Sequence, residues 1–422
     1  MNFVVYAIPF FILAMGVEFI YGWLKQHNTY RLADTINSLQ LGTLSRLRGV
    51  LQLGIGSAAY GFLTGESTLL KMESSDPLVW VVAFIAYDLC YYWSHRYGHE
   101  WRLFWASHVA HHQSEEFNLS TALRQTSTGF FNSVFYIPLY VIGFPTYVIV
   151  SVASLNLIYQ FWVHTEHIRR LGPVEWLFVT PSNHRVHHAK NPDYLDRNYG
   201  GVFIVWDRLF GTFRDEDPNQ PCVYGTTVPL ASWNPLWANA HIWYEGLMDM
   251  FRTRHFSDRF RLWVEGPGWR PRDLRDGPQH DWQSPKFSPP ATAFARIYTF
   301  VQFWVIVAAS FAVLFGRLPQ GITLLAASLL AYSFYVQGVW LEGRPFGLAL
   351  EWLRLALSAA LLWYGALATP PLWDGSLAQA ASLWLLSCGI ALVWASSKGR
   401  VSLRDAPGLR SAHQPAGGSS AG

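Results

Sequence analysis

Eight histidines of this chain stand in three short motifs, HRYGH, HVAHH and HRVHH. They are His95 and His99, then His108, His111 and His112, and then His184, His187 and His188. Residues three or four apart share a face of a helix, so each group can direct its imidazoles to one point. Imidazole suits Fe, Zn, Cu and Ni, and one tetrahedral ion uses at most about four ligands. The motifs therefore predict a centre with two metal ions. Iron is favoured because redox-active nitrogen sites with open positions activate O2.

Two further histidines follow an apolar stretch in the sequence QFWVHTEH. His164 reaches the same boundary at which the three motifs end, so it is predicted to be a ninth ligand. His167 comes one turn later, and a ligand, a partner of a ligand and a surface residue all remain open for it. The other histidines lack neighbours at metal-binding spacing and are interpreted as ordinary residues: His27, His241, His255, His280 and His413.

Acidic residues beside the motifs could orient the rings, because a carboxylate can accept the free N–H of a metal-bound imidazole. Asp88 lies on the helix face of His95 and His99, inside an apolar stretch where an unpaired charge is costly. It is therefore predicted to bind a histidine ligand. Glu100 directly follows the first motif and could act in the same way or lie at the surface.

The composition predicts a polytopic membrane protein. Of the 422 residues, 51% are apolar and only 14% are charged, whereas soluble domains average about 25% charged residues. A net charge of +3 without a basic patch among aromatic residues excludes a nucleic-acid-binding protein. Three distant cysteines argue against a disulfide framework and against a thiolate metal site.

Nine apolar stretches have a length that suits membrane helices. They are 3–24, 48–64, 77–94, 130–144, 146–163, 292–316, 320–340, 347–368 and 379–397. Lys- and Arg-rich loops stay cytoplasmic, and nine passes place nearly all such loops, with every histidine motif, on that side. The predicted fold is an all-α membrane bundle with a cytoplasmic histidine-rich di-iron cap.

Three regions are predicted along the chain. Residues 1–290 form the membrane domain with the metal site, 291–398 form the C-terminal membrane helices, and 399–422 are polar and disordered. Residues 237–253 suit either a helix on the membrane surface or a helix packed on the soluble part. Glu351 and Arg354, three residues apart in an apolar stretch, are expected to form an ion pair.

The histidine motifs resemble the three histidine boxes of the fatty acid hydroxylase and sterol desaturase superfamily. The stretch NHRVHHAKNPDYLDRNYGGVFIVWDRLFGTF, residues 183–213, resembles the last box and its following segment. HHQSEEFNLSTALRQ and LIYQFWVHTEHIRRLGPVEW, residues 111–125 and 157–176, narrow the likeness to the alkylglycerol monooxygenases within that superfamily. The likeness extends over about residues 10–395.

That resemblance implies a non-haem di-iron centre held by the histidines of the boxes, with His164 as the extra family histidine. It implies O2-dependent hydroxylation of the alkyl carbon beside an ether oxygen, which releases a fatty aldehyde. It also implies an external reductant, which is tetrahydrobiopterin in the animal enzymes, although no residue set for pterin binding is recognisable. Asn183 stands where the animal proteins tend to carry a histidine, so it is expected to lie next to the ligands.

Other lipids remain open as substrates, since the same histidines would serve a fatty acyl, sterol or aminolipid hydroxylase or desaturase. A metal-binding transporter is a more distant alternative. The lipid is expected to reach the metals from the bilayer. The exact substrate, the electron donor and the oligomeric state stay open. The Ala, Arg and Trp usage favours a bacterial inner membrane over the endoplasmic reticulum.

Overall fold

The computed structural model describes residues 3–51, 68–274, 281–316, 318–368 and 372–399. Helices form the regular structure of these residues, and within them the only β-type contacts are two isolated bridges. The bridges join Phe178 to Phe203 and Ala189 to Tyr224. The prediction of an all-α fold is confirmed.

The helices of the described residues are α1 Val4–Leu24, α2 Leu32–Leu51, α3 Pro77–Glu100, α4 Arg102–His112, α5 Leu119–Ala122, α6 Ile137–Ile142, α7 Thr146–Trp162, α8 Pro181–His188, α9 Val205–Phe210, α10 Pro235–Arg252, α11 Asp258–Val264, α12 Ala293–Phe315, α13 Gln320–Leu341, α14 Gly347–Leu367 and α15 Gly375–Ser397. Short 3-10 helices cover Asn132–Tyr136 and Gly172–Trp176.

Five of these helices have the length and composition to cross a membrane, which fits a multi-pass membrane protein. The spans are Tyr6–Leu24, Pro77–Glu100, Ala293–Phe315, Gln320–Leu341 and Gly375–Ser397. The predicted stretches 130–144 and 146–163 form shorter apolar helices, separated at Gly143, whose φ is 113°. Most of the predicted stretch 48–64 lies outside the described residues. Nine crossings and a cytoplasmic site therefore stay predictions.

Helix α2 begins between the first two predicted apolar stretches, 3–24 and 48–64, where no membrane helix was predicted. Its apolar residues Ile36, Leu41, Leu44 and Leu47 are buried, and its polar side chains are buried against other parts of the chain as well. The Ser114 hydroxyl donates to Asp34 at 2.5 Å, and the Asn37 side chain donates to the Trp233 carbonyl at 2.8 Å. Specific hydrogen bonds therefore hold this helix together with its apolar packing.

Helices α3 and α4 follow one another almost without a connection. The Asp76 side chain caps α3 by accepting from the Leu78 N–H at 2.8 Å, with Pro77 at the first helical position. Trp101 separates the two helices in an extended conformation, with φ −121° and ψ 128°. This one residue redirects the chain, so that the first two histidine motifs face each other.

The chain divides into two compact units: 1–287 with 307–331, and 288–306 with 332–422. In the first unit, α3 packs against the short apolar helices through a buried cluster that includes Ala83, Leu139, Val148 and Val152. Each large side chain buried in this way contributes about 1.5–3 kcal/mol. This packing holds the helix that carries the first histidine motif.

The second unit has its own core, which includes Val336, Trp340 and Leu392. Within it the Arg354 guanidinium donates to the Glu351 carboxylate at 2.6 Å, with both side chains buried. The predicted ion pair is confirmed.

Candidate metal centre

Nine histidines converge in two adjacent clusters. The five-histidine cluster consists of His95, His99, His108, His112 and His187. The four-histidine cluster consists of His111, His164, His184 and His188. In each cluster the candidate ligand nitrogens all lie within 4.8 Å of one another. These are the nine histidines that the sequence singled out, whereas their distribution between two points is new.

Each H-x2-H-H motif divides its histidines between the clusters. In the HVAHH motif, His108 and His112 join the five-histidine cluster and His111 joins the other one. The HRVHH motif does the reverse, because His184 and His188 join the four-histidine cluster and His187 crosses over. Positions i and i+4 lie about 40° apart around a helix, whereas i+3 lies about 100° from i+4. The expectation that each motif aims at a single point is therefore corrected.

Ring nitrogens approach one another closely within each cluster, both along one helix and between different segments of the chain. In the five-histidine cluster, Nε2 of His108 lies 3.1 Å from Nε2 of His95 and 3.0 Å from Nε2 of His112. In the four-histidine cluster, Nε2 of His184 lies 2.9 Å from Nε2 of His164 and 3.1 Å from Nε2 of His188. The same edge of each of these rings therefore points into its cluster.

Backbone carbonyls orient several of the rings from behind. Nδ1 lies within hydrogen-bond distance of a carbonyl oxygen in four of them: His95 with Tyr199 at 2.7 Å, His111 with Arg124 at 2.9 Å, His164 with Gln160 at 2.7 Å and His187 with Arg197 at 3.0 Å. A carbonyl can only accept, so Nδ1 carries the proton in these rings. In the neutral ring Nε2 then offers a lone pair to the cluster.

These lone pairs make both clusters fit a bound cation. Nε2 of His111 and Nε2 of His164 lie 3.3 Å apart, yet neither has a proton to donate to the other in the neutral form. Among the residues that the structure describes, Nε2 of His99 and Nε2 of His187 are buried without a hydrogen-bond partner, which is costly for a polar atom. Two nitrogens that each lie about 2.0–2.1 Å from one ion are themselves about 3 Å apart. A metal ion in each cluster would therefore satisfy the facing nitrogens.

Burial also favours the protonation state that binds a metal. Desolvation, followed by the repulsion of other charged groups, lowers the pKa of His111 to about 4. The same causes bring several pKa values well below the ordinary value: those of His108, His112, His164, His184, His187 and His188. Imidazole binds a metal in its neutral form, so these rings need not lose a proton at neutral pH.

Asp88 contacts different partners from those the sequence suggested. Its carboxylate accepts from the backbone N–H groups of Val202 and Phe203 at 2.8 and 3.0 Å. It also accepts from the Trp206 indole at 3.0 Å and the Asn156 amide at 2.6 Å. Within the described part of the chain it makes no hydrogen bond to a histidine. Asp88 therefore fixes the segment after Tyr199, whose carbonyl in turn holds His95.

The other two polar residues predicted to lie beside the ligands also bind elsewhere. Glu100 accepts from Arg96, one turn earlier, at 2.8 Å. Asn183 belongs to the capping box of α8, where its side-chain oxygen accepts from the Thr180 N–H at 3.1 Å. Among the described residues, the carboxylate of Asp196 lies within ion-pair distance of a ligand, 3.6 Å from Nδ1 of His99. Asp196 has no helical spacing to the histidine motifs, so its position in the sequence did not indicate this contact.

His167, which the sequence left open, lies outside both clusters. Its ring meets the rings of Tyr21 and His27 edge-on, with centroids 5.2 and 5.7 Å apart.

Arg124 is a site residue that the chemistry of the motifs did not reveal. Its side chain is fully buried, and its Nε donates to the Ala110 carbonyl at 2.6 Å. Its own carbonyl accepts from His111. Arg124 therefore ties the end of α4 to the segment that orients a four-histidine ligand. It lies within the stretch HHQSEEFNLSTALRQ, which carried the family likeness.

A fold of apolar helices with two buried histidine clusters fits iron-dependent oxygenation, the chemistry of membrane hydroxylases. The fatty acid hydroxylase family model matches residues 80–212, which contain all nine clustered histidines. The chain belongs to the alkylglycerol monooxygenase family, and the predicted class of lipid monooxygenase is confirmed.

Its relatives include alkylglycerol monooxygenase of Homo sapiens, 36% identical over 87% of this chain and 84% of the relative. The Danio rerio alkylglycerol monooxygenase is 34% identical over 85% of this chain and 82% of the relative. An ornithine lipid hydroxylase of Rhizobium tropici is 30% identical over 36% of this chain and 46% of the relative. No solved structure matches the chain.

Proposed function

We propose that this chain is a di-iron enzyme that hydroxylates the ether-adjacent carbon of an alkylglycerol. The observation that carries the proposal is the pair of interlocked histidine clusters, each with at least four candidate ligands. The names of the relatives that align with most of the chain support the substrate. The proposed ligands are the nine clustered histidines.

The two bound iron ions would supply the reductive activation of O2 that C–H hydroxylation needs. The chain's own residues would hold the rings, exclude water and position the lipid. The carbonyls of Tyr199, Arg124, Gln160 and Arg197 fix the imidazoles that face the ions. Tyr199 is fully buried beside them. Groups that hydrogen-bond to metal ligands, as these carbonyls do, commonly set the orientation of the ligands and the affinity for the metal.

The overall reaction would insert one atom of O2 into the C–H bond and release the other as water, with two electrons and two protons from an external reductant. The product at the ether-adjacent carbon is a hemiacetal. Its collapse breaks the bond between that carbon and the ether oxygen, so that a fatty aldehyde and glycerol leave. Tetrahydrobiopterin is the proposed reductant by analogy with the animal enzymes.

The side of the membrane on which the metal site lies, and the division of the chain into regions, are proposed from the pattern of apolar stretches and basic loops. The lipid would enter from the bilayer, and the metal site would face the cytoplasm. Residues 1–290 would form the catalytic membrane domain and 291–398 an additional set of membrane helices. All but the first residue of the predicted tail, 399–422, lie outside the described residues. A bacterial inner membrane is favoured.

A second candidate is hydroxylation of an aminolipid. The Rhizobium tropici relative, which is named for ornithine lipid, favours this candidate. Its alignment covers only about a third of this chain, so the ether lipid remains the preferred substrate.

Metal content and product identity together test the proposal. Purified protein in detergent is expected to hold two iron ions per chain and to release a fatty aldehyde from 1-O-hexadecylglycerol in the presence of O2 and reductant. Stable hydroxylation of ornithine lipid without aldehyde would favour the aminolipid. Protein that carries no iron after reconstitution under anaerobic conditions would overturn the di-iron centre.

A further inference from the structure

A cavity of about 310 Å³ lies beside the five-histidine cluster. Its inner wall includes His99, His112 and His187, and its two sides are formed by α4 and α10. This volume is at the lower end of the range of about 300–1,000 Å³ for small-molecule sites. A molecule in this cavity would lie directly against candidate metal ligands.

One face of α10 lines the cavity with residues four positions apart: Trp237, His241, Glu245 and Asp249. Positions i and i+4 lie above one another on a helix, so these side chains form a row. The helix is held close to its neighbours, because at Gly246 a Cβ atom would come within 2.6 Å of the Trp263 ring. The row therefore has a fixed position opposite the histidines.

Most charges in the cavity are already paired. The Asp249 carboxylate accepts from Arg270 at 2.6 Å and from Arg102 at 3.5 Å. Arg102 also donates to the carbonyls of Pro267 and Trp269 at 2.8 and 2.7 Å. Terminal nitrogens of both guanidinium groups therefore already have acceptors, and of the nitrogens in these two groups only the two Nε atoms are buried without an acceptor among the described residues.

Two hydrogen-bond acceptors in the row remain available. His241 is buried, and its Nδ1 lies 3.2 Å from the Trp237 carbonyl, so its Nε2 is an acceptor in the neutral ring. Within the described residues, neither Nε2 of His241 nor the Glu245 carboxylate has a hydrogen-bond partner. Burial lowers the pKa of His241, which keeps this acceptor uncharged.

A pair of acceptors one turn apart suits a ligand with two hydroxyl donors and no negative charge. The negative charge of the Glu245 carboxylate would repel a phosphate group in this cavity. The remaining lining ammonium, Lys190, already donates to the Ser284 hydroxyl at 2.9 Å and lies in the field of Glu115 and Asp281. The cavity therefore discriminates in favour of a diol.

We infer that His241 and Glu245 bind the two free hydroxyl groups of a glycerol headgroup, and that this contact selects alkylglycerols over phosphorylated ether lipids. The inference rests on the proposed function. The ether oxygen joins the reacting carbon directly to glycerol, so the headgroup must lie next to the metal centre. The cavity offers polar acceptors at that place.

The test compares His241→Phe and Glu245→Leu, each of which removes one acceptor, with wild type, using 1-O-hexadecylglycerol, its di-O-methyl analogue and its phosphate ester. Each variant is expected to raise KM for the diol by about three- to tenfold, the effect of one lost hydrogen bond, with kcat nearly unchanged. The di-O-methyl analogue is expected to bind wild type and variants equally weakly. Tyr244→Phe, on the exposed face of the same helix, is the matched control and is expected to match wild type.

Equilibrium binding of radiolabelled 1-O-hexadecylglycerol to iron-free protein gives a second measurement that is independent of turnover. Both variants are expected to bind the diol more weakly than wild type and to retain wild-type iron content after reconstitution. Unchanged diol binding in both variants, or wild-type preference for the phosphate ester, would overturn the inference. Failure of wild type to release aldehyde, with diol binding still dependent on His241 and Glu245, would count against the proposed reaction and not against the headgroup site.

Discussion

The rings of His112 and His188 stack with their centroids 4.4 Å apart and their planes 22° from parallel. His112 belongs to the five-histidine cluster and His188 to the four-histidine cluster, so this contact joins the two proposed metal positions. Because each H-x2-H-H motif contributes to both clusters, neither cluster can move independently of the other. The two sites therefore form one rigid centre built on α4 and α8.

The interlocked clusters predict a graded response to loss of single ligands. His187→Ala removes a ligand from the five-histidine cluster, whereas His111→Ala leaves only three candidates in the other. Activity is expected to fall by more than about 100-fold in both variants, because loss of even an outer contact to a metal ligand costs about 10–100-fold. Iron loss is expected to be larger for His111→Ala.

Elemental analysis and aldehyde release measure these two effects in membranes and in purified protein. His255→Ala is the matched control, because His255 is exposed and belongs to neither cluster. Full activity in His111→Ala or His187→Ala would remove that residue from the centre.

His167 is predicted to be dispensable for metal binding. Its ring lies with Tyr21 and His27, away from both clusters. His167→Ala is therefore expected to retain wild-type iron content, whereas His164→Ala, three residues earlier, is expected to lose iron. Parallel elemental analysis of the two variants decides the matter, and a comparable loss in both would assign His167 to the centre.

Asp88 is predicted to contribute strongly to stability, since it accepts hydrogen bonds from two backbone N–H groups and two side chains. Asp88→Ala would leave buried donors without an acceptor, at about 1–3 kcal/mol each. We expect a loss of at least about 3 kcal/mol in the free energy of unfolding, measured by thermal unfolding in detergent.

Asp88→Ala is also expected to affect metal binding, because Asp88 holds the segment that follows Tyr199. The carbonyl of Tyr199 orients His95, so iron affinity is expected to fall as well. Asp76→Ala serves as the control, because Asp76 caps the same helix at its exposed end and such caps are worth about 1 kcal/mol. Equal destabilisation by the two variants would contradict the special role of Asp88.

The raised pKa of the Asp207 carboxyl predicts how the stability of the folded protein changes with pH. Desolvation raises its pKa from 3.8 to about 6, although Thr212 and the backbone N–H groups of Tyr199 and Gly200 donate to it. The folded state therefore binds this proton more tightly than the unfolded state. The stabilisation that comes from protonated Asp207 is therefore fully present in the free energy of unfolding below about pH 4, and it is lost as the pH rises through about 6.

The comparison of wild type with Asp207→Asn isolates this group. The difference in unfolding free energy, wild type minus variant, is expected to increase by up to about 3 kcal/mol as the pH falls from 7 to 4. Denaturation at several pH values measures it, and a difference that stays constant or shrinks on acidification would refute the raised pKa.

The sequence predicted the members of the metal centre but not their distribution. All nine clustered histidines were identified, because helical spacing and position at the ends of apolar stretches are local properties. Which ring joins which cluster depends on how α4 and α8 face each other. That arrangement arises from contacts between residues far apart in the chain, such as His112 with His188.

The groups behind the rings were harder to predict for a related reason. Asp88 was expected to bind a histidine ligand, but its hydrogen-bond partners lie 68 to 118 positions later in the chain and none of them is a histidine. The imidazole rings are oriented by backbone carbonyls. Every residue has a backbone carbonyl, so residue types in the sequence do not show which carbonyl accepts from a ring. The likeness to a known family pointed to Arg124 and the segment after Tyr199 only as part of longer stretches.

The buried pair in the second unit provides a further prediction about stability. Glu351 accepts from Arg354 at 2.6 Å and from the Tyr298 hydroxyl at 2.6 Å, and Arg354 also donates to Gln302 at 2.9 Å. Arg354→Met would leave the Glu351 carboxylate buried with a single neutral partner. Such losses cost about 3–5 kcal/mol, whereas replacement of both charges by apolar residues is often close to neutral.

Thermal unfolding of Arg354→Met and of the double variant Glu351→Leu, Arg354→Met separates these cases. The single variant is expected to be the less stable of the two. The pair of Arg261 and Glu265 is 48% and 34% exposed, and Arg261→Met is expected to change stability by less than about 1 kcal/mol. If the double variant unfolds at the lower temperature, the pair stabilises the second unit by direct attraction, and the cost of leaving one charge unpaired is not the dominant effect.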